Sequence, residues 1–550
     1  MSIHYEESGR VKRTALFLTA AFLIIYCPLQ LGDRELYWRE GEYAAIALEM
    51  TPESVPLAAA HGEVIPETFP MFPWLAGMAV RLTGLKPELI LRLISVLSLA
   101  GLCLAVMEAA REARDFDAGA AACAFMMSSN IIIEKAMDGY PTMPGLFFLF
   151  SAWMMWFSLG AGKGHWNKAW IYSLVLCGMA FYTVGWPAPI LFFFPFVFMR
   201  RPLSVWARLS KPGFYIGTGF LLLFILLWGI PYWMSGGADT VFQTPSMRAD
   251  VFSEYFSHLL FFPFDAVLRF MPWSLLAWAP FCVAFYPLDQ APIFSRYLRT
   301  VVISVFCLLW FSPFTSARDM IVLAPPLAAL TGVNYWLLAR RHGGVFARFL
   351  RWLSWVPLAL GIATFAVYLT PWDKIWTLGP VFEYQNNRVS FILGMIEGSA
   401  NVALGIYLVW LSRGRERIWS GVLLMVISFM LFFWAVIHPH KSLEDSKRSF
   451  ARLLGETAAQ HKVPHGAVIY KDKNISGLFG EACYLPYKLR KISSLSQLPA
   501  DEPDVYLLST DVPTAPGRNW VNLLRENERY QDKRICLWKG VKGAAPPEKK

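Results

Sequence analysis

Apolar runs of about 20 residues, the length that crosses a bilayer core, recur along this chain as far as residue 437. The pattern predicts thirteen candidate spans: near 15–32, 89–110, 118–133, 143–160, 169–186, 188–199, 213–233, 271–288, 300–314, 320–339, 353–370, 390–411 and 419–437. The pair at 169–199 is broken by "GWPAP", and 188–199 is short for a full crossing. The first run, "ALFLTAAFLIIYCPLQL", follows a basic N-terminus and resembles a signal anchor. With no A-x-A-like cleavage site before the charged loop, a retained helix is expected. Beyond His438 the pattern changes. "GAVIY" (466–470), "YKLRKIS" (487–493), "DVYLLST" (504–510) and "KRICLWK" (533–539) alternate as strands. "ISGLFGEACY" and "GRNWVNLLREN" fit short helices between them. The expected architecture is a mainly α-helical polytopic membrane protein, 1–437, with a small soluble α/β domain at 438–550.

Composition agrees: 56% of the residues are hydrophobic, 16% are aromatic, and the mean hydropathy is +0.41. Soluble domains are about 45–50% apolar. The net charge of +10 is not a nucleic-acid footprint, because it is gathered in short loops. Arg10/Lys12/Arg13, Arg111/Arg114, Lys163/Lys168, Arg200/Arg201/Arg208/Lys211, Arg296/Arg299, Arg340/Arg341/Arg348/Arg351 and Arg413/Arg415/Arg417 all fall on the N-terminal side of the predicted topology. The positive-inside rule makes that side cytoplasmic. Loops 33–88, 134–142, 234–270, 315–319 and 371–389, with the tail, face the other way. Six cysteines lie in apolar runs. Cys483 and Cys536 lie in the tail, either paired or free, and no C-x-x-C pair suggests thiol chemistry.

The first loop holds unusual charge. "LGDRELYWREGEYAAIALEM", residues 31–50, carries Asp33, Arg34, Glu35, Arg39, Glu40, Glu42 and Glu49. Tyr43, Ile46, Ala47 and Met50 share one helical face, while Glu42, Ala45 and Glu49 share the other. The spacing predicts an amphipathic helix along the membrane interface, or a solvated structural face. "GEVIPETFPMFPWLAGMAVRLTG" adds Glu63 and Glu67. "IIIEKAMDGYPTMPGLFF" places Glu134, Lys135 and Asp138 between apolar helices, where ionisable groups mark function, helix capping or a surface charge cluster. Basic residues are fewer on this side: Arg34, Arg39, Arg81, Lys135, Arg248, Arg269 and Arg318. Arg318 suits either a phosphate clamp or an ion pair with Asp319. His258, in "SEYFSHLLFFPFD", suits a metal ligand, an acid/base or a simple hydrogen-bonding role.

In order, "EYAAIALEM", "ETFPMFPWLAG…VRL", "MDGYPTMPGLFF", "MPWSLLAWAP" and "FTSARDMIVLAPPLAAL" resemble integral-membrane glycosyltransferases of the GT-C type. The resemblance is to bacterial lipid A aminoarabinose transferases and to protein O-mannosyltransferases. It runs from about residue 15 to 340 and includes the layout of the tail. It implies a bacterial inner-membrane enzyme moving a sugar from a polyprenyl-phosphate donor to a lipid A-like lipid, glycan or protein acceptor on the periplasmic face. Glu40 matches the family's first-loop acid and Asp138 its second-loop acid. Glu67 matches a glutamate associated with a divalent metal, Arg318 matches a basic position, and His258 lies near a metal-binding loop. Arg39 stands where the family has Asp, while Thr68 and Val184 replace its lysines.

Glycosyl transfer needs a base for the acceptor hydroxyl and positive charge for the departing phosphate. Glu40, Asp138 and Glu42 are the candidate catalytic carboxylates. Arg39, Arg248 and Arg318 are the candidate phosphate contacts, and Glu67 and His258 are the candidate ligands of a divalent metal. A lipid or sugar transporter and an inactive accessory subunit are the alternatives. A transporter predicts charge within the spans, yet here the spans are nearly free of charge and the candidate carboxylates sit in loops on one face.

Overall fold

The computed structural model describes residues 2–28, 31–50, 57–65, 68–199, 205–235, 249–370, 388–411, 418–438, 446–475, 477–499, 501–514, 518–524 and 535–542. Glu67, Arg248, Arg200, Arg201, Arg413, Arg415, Arg417 and most of loop 371–389 lie outside them. In chain order, the early elements are α1 (Ser2–Tyr26), α2 (Glu40–Glu49), β1 (Ala59–Ala60), β2 (Glu63–Val64), α3 (Met71–Thr83), α4 (Pro87–Ala113), α5 (Phe116–Ser128) and α6 (Asn130–Lys135). Then come α7 (Thr142–Met155), α8 (Trp166–Val184), α9 (Pro187–Phe198), α10 (Val205–Leu209), α11 (Pro212–Met234), α12 (Ala249–Arg269) and α13 (Ser274–Trp278). They are followed by α14 (Pro292–Phe311), α15 (Ala324–Val333), α16 (Tyr335–Leu353), α17 (Trp355–Leu369), α18 (Arg388–Leu411) and α19 (Ile418–Phe432). The tail contributes α20 (Ser446–Gln460), β3 (Val468–Asp472), α21 (Phe479–Ala482), β4 (Lys488–Ile492), β5 (Asp504–Ser509), β6 (Arg518–Asn522) and β7 (Cys536–Lys542).

The chain divides into two compact units. The first comprises Met1–Leu31, Arg92–Leu227 and Gln243–Leu443; the second comprises Gly32–Leu91, Trp228–Phe242 and Glu444–Lys550.

The first unit is a helical membrane bundle. Among the described residues, seven helices are long and apolar enough to cross a bilayer, and eight if a pair bent by 60° counts as one span. Proline accounts for part of the difference from thirteen. The expected span at 271–288 is instead short α13 followed by two 3₁₀ turns, Ala279–Phe281 and Val283–Leu288, because Pro280 and Pro287 interrupt the helix. Conversely, residues 249–269, expected within a loop, form the 21-residue α12. The 118–133 run breaks at Ser129 into α5 and α6. Small residues let the backbones approach. A Cβ at Gly332 on α15 would stand 2.5 Å from Ala122 Cβ on α5, so only glycine permits this crossing. Val184 fills the space left by Gly145, where an added Cβ would meet its Cγ1 at 2.4 Å. Val184 is therefore a packing contact.

The second unit is an α/β fold. Its five-stranded sheet has the order β4-β3-β5-β7-β6; β4, β3 and β5 run parallel, and β7 pairs antiparallel with β5 and β6. Phe450, Leu454 and Ala458 of α20 pack with Ile469, Leu489, Tyr506 and Leu508 on one face. Tyr470, Val505 and Leu507 enter the core on the other. Four of the expected strands are present. The segment expected as a helix, "GRNWVNLLREN", is strand β6 at its start, where pairing with β7 overrides the helical pattern. Cys483 and Cys536 are free thiols.

Within this unit most of α2 is buried. Acidic Glu40 and Glu42 in its first turn complement the helix dipole. Ala45, expected on the polar face, is packed with Ile46, Met50, Ala58, Ala60 and Phe479. Gly41 meets α21 closely: a Cβ there would lie 2.6 Å from the Gly480 nitrogen. Gly77 of α3 makes a similarly tight approach to Ala47.

Candidate active site

The turn before α2 fixes the first-loop carboxylates. Glu40 is 2% exposed, and its Oε2 accepts the Tyr37 N–H at 2.8 Å. Trp38 inside this turn adopts φ 44°, a left-handed conformation costly for a bulky side chain. Glu42 points elsewhere. It accepts two hydrogen bonds from Arg39, Nε at 3.3 Å and Nη2 at 3.2 Å, and a third from Thr68 Oγ1 at 2.5 Å. The Glu42 side chain remains 14% exposed and that of Arg39 33%. Arg39 thus forms an i,i+3 ion pair with Glu42, and Thr68 completes the same cluster. Sequence reasoning singled out all three positions but not their association, in which Glu42 and Thr68 are 26 residues apart.

The second-loop residues form a separate cluster within the first unit. Lys135 Nζ lies 3.1 Å from Glu134 Oε1 and 3.6 Å from Asp138 Oδ2, and Arg269 Nη1 lies 2.9 Å from Glu134 Oε2. Burial alone would raise the Glu134 pKa, but Lys135 and then Arg269 hold it below the usual carboxylate value. Arg318 is exposed on the 3₁₀ turn Ala317–Leu323. Its neighbour Asp319 closes a capping box with Ser316, accepting from N at 2.7 Å and Oγ at 3.0 Å. His258 lies between the rings of Tyr255 and Phe262. Its buried Nε2 has no hydrogen-bond partner among the described residues. No group of three His, Cys, Asp or Glu side chains converges among them. The described residues therefore do not assemble a metal-ligand set.

A polar centre that the sequence did not reveal lies in the second unit. His61, 2% exposed and at φ 56°, stacks on Phe479 with ring centroids 4.8 Å apart. Its Nδ1 is 3.3 Å from Lys471 Nζ, and its backbone N–H donates to Glu49 Oε2 at 2.7 Å. Burial, then the adjacent Lys471 charge, lowers the His61 pKa to about 3. Burial, then Lys491, lowers that of Lys471 to about 8, against the opposing pull of Glu63, Glu481 and Glu49. Glu49 is raised by burial despite the His61 N–H and nearby Lys488 and Lys471. A histidine 410 residues from its lysine partner leaves no local signal in the sequence. Because native His61 resists protonation while the unfolded chain accepts a proton below pH 6.5, stability falls as pH drops from about 6.5 toward 3. The expected loss is about 2 kcal/mol by pH 5. Hydrogen–deuterium exchange of residues 468–472 in the full chain, corrected for intrinsic rates, measures this. His61→Asn, which tolerates the left-handed backbone, should remove most of the pH dependence in that window.

The described architecture is a helical membrane bundle and a mixed α/β sheet, with charged clusters after the first helix and in the second loop. No protein-family model matches the chain, and no curated protein sequence matches it. Solved structures do. ArnT from Cupriavidus metallidurans bound to undecaprenyl phosphate matches with a TM-score of 0.67 and 16% identity, over 97% of this chain and 99% of that one. The same protein in the apo state gives 0.67 and 16%, over 96% and 98%. The oligosaccharyltransferase of Archaeoglobus fulgidus in the apo form gives 0.44 and 13%, over 88% and 65%. The chain has the ArnT fold from end to end.

Proposed function

We propose that this protein is a membrane glycosyltransferase that moves a sugar from a polyprenyl-phosphate carrier to an envelope acceptor at the extracytoplasmic surface. The observation that carries the reading is the near-complete fold correspondence with a transferase solved with undecaprenyl phosphate. The first-loop chemistry supports it. Glu42 is the acceptor-activating base: it keeps open surface and is held by Arg39 and Thr68, whereas Glu40 is buried and engaged with the Tyr37 N–H. The acceptor oxygen attacks the anomeric carbon, its proton passes to the Glu42 carboxylate, and the sugar–phosphate C–O bond breaks with its electron pair leaving on phosphate. Arg39, with Arg248 and Arg318 as further candidates, stabilises that charge. Asp138, in the first unit, is the alternative candidate for the base. The basic loops support a cytoplasmic N-terminus and a periplasmic tail, and the fold likeness to ArnT supports a bacterial inner membrane.

The test uses purified full-length protein in lipid vesicles, supplied with undecaprenyl-phosphate sugars and an envelope lipid extract. Mass spectrometry follows sugar loss from the carrier and gain by the extract. Transfer that disappears in Asp138→Asn or in a carboxylate variant of the first loop supports the reading. If no supplied sugar leaves its carrier while the protein binds or translocates the intact donor, the transporter reading replaces it.

A further inference from the structure

Helix α16 has three distinct faces. Tyr335 and Leu350 are buried against the bundle, with the Tyr335 hydroxyl accepting the Trp419 N–H at 3.2 Å; Leu338, two turns before Val345 on the line of the apolar face, is buried as well. Val345, Phe349 and Trp352, at i, i+4 and i+7, form an adjacent apolar face that is 59%, 53% and 73% exposed. Arg340, Gly344, Arg348 and Arg351 follow at i, i+4, i+8 and i+11 as a stripe beyond it, and all three arginines are exposed. Arg341, at the border of the two exposed faces, lies over the Phe285 ring at 5.3 Å. Among the described residues, Arg348 Nε donates to Gly344 O of its own helix at 3.4 Å. No acidic residue occurs in the sequence between Asp319 and Asp373. The start of α16 is bent 60° from the apolar helix before it, and a further candidate span begins at Arg348.

One face on protein, one exposed and apolar, and one exposed and cationic is the division expected of a helix in a membrane interface. A spanning helix would not carry an arginine stripe along its length. We propose that α16 is an interfacial helix whose Arg340–Arg348–Arg351 stripe binds the phosphate headgroups of anionic phospholipids. Val345, Phe349 and Trp352 enter the acyl boundary beside them. Guanidinium groups suit this partner because each forks onto phosphate oxygens. The site is independent of the transferase reading, since it requires no turnover.

The test is native mass spectrometry of the full-length protein released from nanodiscs containing equal amounts of phosphatidylglycerol and phosphatidylcholine. The wild type should retain phosphatidylglycerol in preference. The combined Arg340→Gln, Arg348→Gln and Arg351→Gln variant should lose about tenfold or more of that preference. The corresponding triple lysine variant preserves charge and should keep most of it, which separates lost binding from misfolding. Equal retention of both lipids by the wild type overturns the proposal, as does undiminished preference in the glutamine variant. An equal loss from Arg296→Gln would assign the effect to overall charge instead of α16. Displacement of phosphatidylglycerol by millimolar inorganic phosphate would make the site a free-anion site, also against the proposal.

Discussion

Glu42→Gln is expected to lower sugar transfer from undecaprenyl phosphate by about two to four orders of magnitude, the usual contribution of a positioned general base. Glutamine keeps the shape of the side chain, and its amide oxygen can still accept from Thr68 or Arg39, but it cannot take the acceptor proton. The loss should fall mainly on kcat, because donor binding relies on the lipid tail and phosphate contacts. Thr68→Val removes one of three hydrogen bonds that orient Glu42. It should cost about 1.5–3 kcal/mol at most, a smaller fall of about tenfold to a hundredfold in rate. Glu40→Gln retains an acceptor for the Tyr37 N–H and should act less than Glu42→Gln. Initial rates by mass spectrometry, with hydrogen exchange of α2 as a check on folding, measure all three. Full activity of Glu42→Gln beside an inactive Asp138→Asn would move the base to the second loop.

Arg448→Ala is expected to destabilise the second unit by about 3–5 kcal/mol, the range for removing one partner of a buried ion pair. Glu88 is 2% exposed and lies 3.1 Å from Arg448 Nη2. Without that guanidinium its carboxylate is left in a poorly solvated site. Arg448 also donates to Asp33 O at 2.8 Å and lies over Tyr484 at 5.3 Å. Glu35 acts at the same place, accepting the Lys447 N–H at 2.9 Å and so satisfying a donor at the start of α20. Glu35 is therefore structural, in contrast to Glu42. Pairing Arg448→Met with Glu88→Leu removes both charges and should recover much of the loss. Hydrogen exchange in α20 and the first loop of the full chain reads both outcomes. A loss as large in the double variant as in the single one would show that packing, not the unpaired carboxylate, sets the cost.

The sequence alone determined the class of environment and most of the regular structure. Apolar runs at bilayer length are a one-dimensional signal, because lipid leaves the backbone no alternative to internal hydrogen bonding. The spacing of Val, Ile, Leu and Tyr in the tail likewise marked β3, β4, β5 and β7, since inward and outward positions alternate along a strand. The ordered loop motifs carried the likeness to GT-C enzymes, and the fold bears out that likeness. Tertiary structure decided what local pattern could not. Pairing with β7 made Arg518–Asn522 a strand, and α21 together with its neighbours buried the side of α2 expected to face water. Contacts between distant segments gave Glu42 its Thr68 partner and His61 its Lys471 partner. The seven charged residues of segment 31–50 look alike along the chain; only three-dimensional proximity separates the carboxylate that caps α20, the one that braces a turn and the one left partly open for chemistry.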